Sequence, residues 1–417
     1  MIRSLRFLPM LLLANVTSLA AHEPHKPAVP AAPVAVVLTA IPLPEGWVES
    51  RPSAGPGAFA PMLAGDGDGF LATWIEPLPN STHRVRFARW QGGSWSSAST
   101  IREGKTLFAN WADVPGVVRA PDGALYVWWL ERSSAGTYTY DVRLARSTDQ
   151  GVTFAALGVL HDDRSPSEHG FVSAVVEGKG VRFYYLDGRA TPGDRPMQLR
   201  TVFVEGTQIE PSELVDESVC DCCSTAAVGL AGGGSAVAYR DRTSSEIRDV
   251  QVALRPAGGA MTTKAVGNDG WKIAGCPVNG PALAVNDQIL AVAWFAAPAD
   301  HSRMAVARSA DGGATWSATT PIPASAGASP MGQLAIAPVD ESFALAWLEG
   351  IAGGSELRWA RLDAHGTLGA SFAIARTGAG RSAGSPRLAM AGKRLALLWV
   401  DTRNPAAAGL RFATHTR

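Results

Sequence analysis

Seven aromatic residues recur along the chain at nearly even intervals, and this recurrence limits the possible folds more than any other feature. Trp74, Trp129, Tyr185, Tyr239, Trp294, Trp347 and Trp399 each stand at the end of a short apolar run, at spacings of 55, 56, 54, 55, 53 and 52 residues. Each unit starts at a Gly or Pro, passes a turn such as Pro121-Asp122-Gly123, and runs into the strand that carries the aromatic. The runs are rich in Val, Ala and Leu and are broken by Gly, Asp and Asn. No 3.6-residue pattern lasts for three turns, so the fold class is all-β. A period of this size, with three or four short strands per unit, predicts a β-propeller. A blade cannot bury both faces of its sheet alone, so neighbours stack around a central channel. The 367 residues from Arg51 to Arg417 divide into seven units of about 52. Two β-sandwiches would leave the even period unexplained.

The last unit has strands near 386–390, 395–400 and 410–414 and then stops, one strand short. At the other end the segment Ala35 to Val48 is left over. This segment is expected to complete the last blade and close the ring, which removes an exposed sheet edge. Ahead of it, Arg3 and Arg6 precede an apolar run from Phe7 to Val16, followed by Ser18-Leu19-Ala20-Ala21. That is the order of a signal peptide, 1–21, and about ten apolar residues are too few to span a bilayer. A Pro/Ala-rich leader, 22–34, separates it from a single propeller domain, 35–417. The expectation is an exported protein, periplasmic or extracellular, with no membrane span. Its 37 basic residues balance 37 acidic ones, which argues against nucleic acid as a partner.

Two units carry a tighter signature. Ser147-Thr148-Asp149-Gln150-Gly151-Val152-Thr153-Phe154 and Ser309-Ala310-Asp311-Gly312-Gly313-Ala314-Thr315-Trp316 both fit S-x-D-x-G-x-T-aromatic, and worn copies lie at 89–95 and 361–372. In such a hairpin the Asp accepts local backbone N–H groups, the Gly takes a positive φ, and the aromatic tucks under the blade. The motif resembles the Asp-box, or BNR repeat, of the sialidase (neuraminidase) superfamily. The resemblance implies structural roles for Asp149, Gly151, Phe154, Asp311, Gly313 and Trp316 on the face opposite the active site. Together with Cys220-Asp221-Cys222-Cys223 and Gly275-Cys276-Pro277-Val278-Asn279-Gly280-Pro281, it looks like an exported, bacterial sialidase-like subgroup. Superfamily enzymes usually have six blades, whereas this period counts seven.

The residues just past each repeat aromatic share one rim: Glu76, Glu131-Arg132, Asp187-Gly188-Arg189, Asp241-Arg242, Glu349 and Asp401-Thr402-Arg403. Two readings stand: ion pairs repeated with the blade, or a ring that binds an anionic or sugar ligand. The segment from Tyr239 to Asp249 is the richest. Sialidases are similar in using an arginine triad, a Tyr nucleophile helped by a Glu, and an Asp acid/base. On that resemblance an exo-α-sialidase would use Tyr239, Asp241 and Glu246 as catalytic residues, with Arg240, Arg242, Arg248 and Asn279 binding the ligand. Recognition of a small polar ligand, glycan or metal at the rim is the broader expectation, and a scaffold docking another exported protein is the remaining class.

Four cysteines, Cys220, Cys222, Cys223 and Cys276, lead into the fourth and fifth units, one period apart. Outside the cytoplasm two disulfides are the default, with Cys276 tied to Cys222 or Cys223. Counting back 16 residues from the repeat aromatics offers another arrangement, because His169, Cys223 and Met331 fall at equivalent positions. With Cys222 and Cys276 nearby, these soft ligands suit copper better than calcium or magnesium.

Overall fold

A computed structural model describes residues 38–193 and 195–416. The expected signal peptide, 1–21, and leader, 22–34, lie outside the described residues. Seven antiparallel sheets follow one another around a ring, making a seven-bladed β-propeller. Each repeat aromatic sits in the second strand of its blade. These strands are Gly69–Leu78, Leu125–Arg132, Gly180–Asp187, Gly234–Arg240, Ile289–Ala296, Ser342–Ile351 and Arg394–Asp401. Both faces of these strands are covered by neighbouring blades, and Gly180–Asp187 is buried at every position. That explains why they read in sequence as unbroken apolar runs such as Phe70-Leu71-Ala72 rather than as alternation.

The ring closes as the leftover strand predicted. Trp47–Ser50 pairs antiparallel with Gly409–Thr416, with Trp47 opposite His415 and Ser50 opposite Phe412. The strand starts near the end of the 35–48 segment, because Trp47 is the residue that finds a core. Its ring meets that of Trp359 edge-on at 5.5 Å.

The chain direction in each blade puts the loops that leave the second strand and those that lead into the first on one face. The hairpins joining the third strand to the fourth lie on the other face, and both full Asp-boxes are such hairpins. Asp149 accepts hydrogen bonds from Thr153 N (2.9 Å) and Thr153 Oγ1 (2.6 Å), and Asp311 does the same with Thr315 N (2.9 Å) and Oγ1 (2.6 Å). Gly151 has φ +86°, and a Cβ there would lie 2.1 Å from the Phe87 ring of the preceding blade. Phe154 meets that same ring edge-on at 5.5 Å. Trp316 packs into the core between the fourth and fifth blades, where a Cβ on Gly313 would press on Leu254 at 2.7 Å. These groups act structurally, as hairpin locks and blade wedges.

Candidate functional site

On the opposite rim the repeated acids are used inside the blades. Glu76 accepts hydrogen bonds from Trp74 Nε1 (2.9 Å), Gly55 N (2.8 Å) and Arg84 Nη2 (2.9 Å). Glu349 takes Trp347 Nε1 at 2.9 Å, and Glu131 takes Arg102 Nη2 at 2.5 Å. Asp187 and Asp401 hold Arg189 and Arg403 two residues on. The fifth unit lacks this acid, and Asp269 of the preceding blade replaces it, accepting Trp294 Nε1 at 2.7 Å. At Trp74, Trp129, Trp294 and Trp347 the acid is thus the acceptor that the buried indole N–H needs.

The 239–249 segment is likewise folded on itself. Tyr239 is buried at the repeat position, and its hydroxyl donates to Asp216 at 2.7 Å. Burial, with Asp216 and Asp241 beside it, pushes that phenol far above its ordinary range. Arg240 is only 1% exposed. Its guanidinium donates to three backbone carbonyls, Arg248 O (2.6 Å), Asn279 O (2.8 Å) and Phe295 O (2.8 Å), and lies over the Trp271 ring. Asn279 clamps the next junction, accepting from Gln333 N at 2.9 Å and donating to Met331 O at 2.8 Å. Asp241 is half-buried, and burial raises its carboxyl. Glu246 bridges Arg242 and Arg248, each at 2.8 Å. Of the residues expected to form a sialidase-like site, the structure thus brings Arg242, Glu246 and Arg248 together on the rim, and buries Tyr239, Arg240 and Asn279 in junctions between blades.

Arg248 leads directly to the cysteines. It donates to Asp221 Oδ1 at 3.0 Å and to Cys220 Sγ at 3.3 Å. The 220–225 loop is anchored from below: Cys220 N donates to Arg240 O at 2.9 Å, and Arg242 N donates to Ser218 O at 3.2 Å. Cys220 Sγ lies 3.3 Å from Cys223 Sγ and 3.9 Å from Cys222 Sγ, and all four thiols are free. Cys276, arriving from the next blade, faces Asp221 at 4.0 Å. Two triads overlap here, Cys220/Cys222/Cys223 and Asp221/Cys222/Cys276, and within each the ligand atoms lie within 4.8 Å of one another. Hydrogen bonds from the Cys222 and Cys223 thiols, with Arg248 adding to them, hold Cys220 far below the ordinary thiol range. Burial pushes Cys223 up to about 12. A cation that bound among these sulfurs would displace thiol protons.

The remaining soft-ligand candidates stand elsewhere on the ring. Met331 belongs to the sixth blade, where its Sδ accepts from Ser355 Oγ at 3.3 Å. His169 opens the third blade, in contact with Asp163 and Asp187. Equivalent positions in a closed ring are spread around the channel, so a shared repeat offset does not imply a shared ligand set.

Apart from His169, the sequence reading did not single out the groups that meet between the second and third blades. Tyr140 donates a hydrogen bond to Glu168, and Phe108 stacks on the Tyr140 ring at 4.0 Å. Burial lifts Glu168 to about 7 and Asp113 well above its ordinary value. Asp113 Oδ1 accepts from Phe171 N at 2.8 Å, while Oδ2 has no partner. His161 stacks on His169 with ring centroids 3.7 Å apart. The density of His, Asp and Glu in His161-Asp162-Asp163-Arg164-Ser165-Pro166-Ser167-Glu168-His169 was the visible signal. The central channel holds a cavity of about 270 Å³ lined by the inner strands, with Asp113, Ser173, Thr225, Gln333 and Arg387 as its main polar groups. Among the described residues no helix is long and apolar enough to cross a membrane.

Neither a protein-family model nor a curated protein sequence matches the chain. Solved structures do resemble it. A polysaccharide lyase, an ulvan lyase bound to -[GlcA(1-4)Rha3S]-, superposes with TM-score 0.56 at 12% identity over 88% of this chain and 95% of that one. An α-L-arabinanase of Penicillium chrysogenum has TM-score 0.49 and 11% identity, over 91% of this chain and 99% of the other. The sialidase of Trypanosoma rangeli has 0.48 and 12%, over 76% and 56% respectively. At these identities the likeness is one of fold alone.

Proposed function

We propose that this protein is an exported propeller that binds a soft, thiophilic metal ion, Cu(I), at the rim between its fourth and fifth blades. The observation that carries the reading is the convergence of Cys220, Cys222 and Cys223, with Cys276 beside Cys222. In a tetrahedral thiolate site with metal–sulfur bonds of about 2.3 Å, the sulfurs stand roughly 3.8 Å apart. Spacings of 3.3 and 3.9 Å are close to that and well beyond the bonding distance of a disulfide. Three or four thiolates favour Cu(I) over hard cations. Arg248, itself held by Glu246, offsets the negative charge gathered on the sulfurs. The leader-like pattern of residues 1–21 supports export.

The test is elemental analysis of protein purified under reducing conditions and equilibrated with Cu(I). One equivalent is expected, lost in Cys223→Ser and retained in Met331→Leu. Two disulfides by mass spectrometry, with no bound copper under reducing conditions, would overturn the reading.

A second reading, action on or recognition of a glycan, is favoured by the Tyr140–Glu168 pair beside Asp113 on the same rim. The ulvan lyase and the sialidase with which the chain shares its fold act on glycans, which fits this reading. Cleavage of a fluorogenic sialoside or of an anionic polysaccharide, abolished by Tyr140→Phe with the fold intact, would establish it. Absence of cleavage and of binding on a glycan array would remove it.

A further inference from the structure

We propose that the central channel is an anion site, in which the guanidinium of Arg387 holds a small oxyanion through its two free Nη groups. The cavity of about 270 Å³ is lined at one level by all seven blades, at 62–63, 112–114, 171–174, 224–227, 280–283, 333–336 and 385–388. These stretches lie at or near the entry ends of the innermost strands, so the cavity stands below the rim that carries the cysteines. Arg387 and Asp113 are the ionisable side chains among the described residues of its wall.

Most polar side chains of the wall bond to one another. Thr225 Oγ1 donates to Phe171 O at 2.9 Å and accepts from Ser173 Oγ at 2.7 Å. Gln333 Nε2 donates to Val278 O at 2.9 Å, while its Oε1 accepts from Ser385 Oγ. Asp113 Oδ1 is taken by Phe171 N at 2.8 Å, and burial raises this carboxyl well above its ordinary range, which disfavours the charge that would answer an arginine.

Arg387 is different. Its Nε donates to Pro61 O at 2.8 Å, across the junction where the seventh blade meets the first, and this bond fixes the guanidinium in place. Among the described residues neither Nη has a protein acceptor, and no carboxylate lies within 4 Å of the group. Nor are the Nη atoms sealed from solvent, so the space they open onto is the channel. Burial lowers the guanidinium to about 10, with no acid near enough to raise it. It therefore keeps its charge at neutral pH, desolvated and without a counter-ion, and a buried charge left in that state is costly.

An anion in the channel would offset that cost. With Nε committed to Pro61, the free edge of Arg387 presents Nη1 and Nη2 side by side, the fork that two oxygens of a carboxylate or a phosphate accept. The cavity lies just under the usual range of ligand pockets, about 300–1,000 Å³. The anion is accordingly small, inorganic phosphate or an organic acid of a few carbons.

The site shares no residue with the thiolate cluster, so the two stand or fall separately. Isothermal titration of the whole chain with inorganic phosphate, and separately with acetate, reads the site when ionic strength is held constant with sodium chloride. Saturable binding of one equivalent is expected, and the probe that binds more tightly tells a phosphate source from a carboxylate one. Arg387→Met should weaken binding at least about tenfold. Arg387→Lys should weaken it too, since one ammonium cannot hold Pro61 O and also replace the fork. Circular dichroism identifies a variant that has lost its fold, and the lysine variant, which can still reach Pro61 O, keeps the comparison available if Arg387→Met does not fold. No saturable binding of either probe by the parent protein, or unchanged affinity in a folded variant, would overturn the proposal.

Discussion

Arg240 separates two roles that its position in the sequence leaves open, because a rim arginine waiting for a ligand and a buried arginine stitching two blades respond differently to replacement. Its guanidinium makes three bonds of 2.6–2.8 Å to the carbonyls of Arg248, Asn279 and Phe295, and stacks on Trp271. A hydrogen bond from a charged donor contributes about 1.5–3 kcal/mol, and a stranded buried acceptor costs about 1–3 kcal/mol. Arg240→Met keeps the volume of the stem but strands three carbonyls and exposes one face of the indole. Desolvating the guanidinium offsets part of its gain, so the net loss is about 3–5 kcal/mol. Against a total near 5–15 kcal/mol this is a large fraction. With an unfolding entropy of about 2.1 cal/mol/K per residue, a cooperative unit as long as residues 38–416 would melt only about 4–6 °C lower, so urea titration is the more sensitive assay. Arg242→Met, at a partly exposed ion pair, is the control and should cost about 1 kcal/mol or less. Equal midpoints for Arg240→Met and the parent protein would refute the structural role and return Arg240 to the list of ligand-binding candidates.

Gly151→Ala should destabilise by about 1–3 kcal/mol, since it combines a positive φ with overlap on the Phe87 ring; chemical denaturation checks this, and an unchanged midpoint would mean that the two blades are not wedged there. The Asp-box carboxylates of Asp149 and Asp311 are held at about 2, chiefly by the hydrogen bonds from Thr153 and Thr315. A lowered folded value places their contribution above the ordinary carboxylate range and removes it as pH falls from about 4 toward 2. Asp311→Asn should therefore flatten the acid limb of a stability–pH profile, with little difference below pH 2. Trp47→Ala should cost about 3–5 kcal/mol and expose the ring closure to proteolysis near 47–50; a protease-resistant variant would show that the closing strand is held by backbone pairing alone.

The spacing of the seven aromatics determined the number of blades, and the missing strand at the end of the chain determined how the ring closes. Both were legible because they follow from chain-local facts: a strand buried on both faces must be apolar, and its period is the length of a blade. The Asp-box roles were equally local, since Asp149 bonds only to residues within four positions of itself. The charged rim was legible as a pattern but not in its meaning. Only packing shows that Glu76 and Glu349 serve the indole two residues before them, and that Asp269 takes this place for Trp294.

The site depended on tertiary structure most of all. A repeat offset put His169, Cys223 and Met331 at equivalent positions, yet equivalence in a ring separates residues around the channel. Cys222 and Cys276, 54 positions apart in the chain, share a triad because their loops lead into adjoining blades. His161 and Asp141 meet because an outer-strand loop turns back over its own blade. The sequence by itself determined the repeat, because repetition is a property of the chain. Which side chains face one another across a junction was decided only when the blades packed, because those distances are set by the stacking of sheets and not by position along the chain.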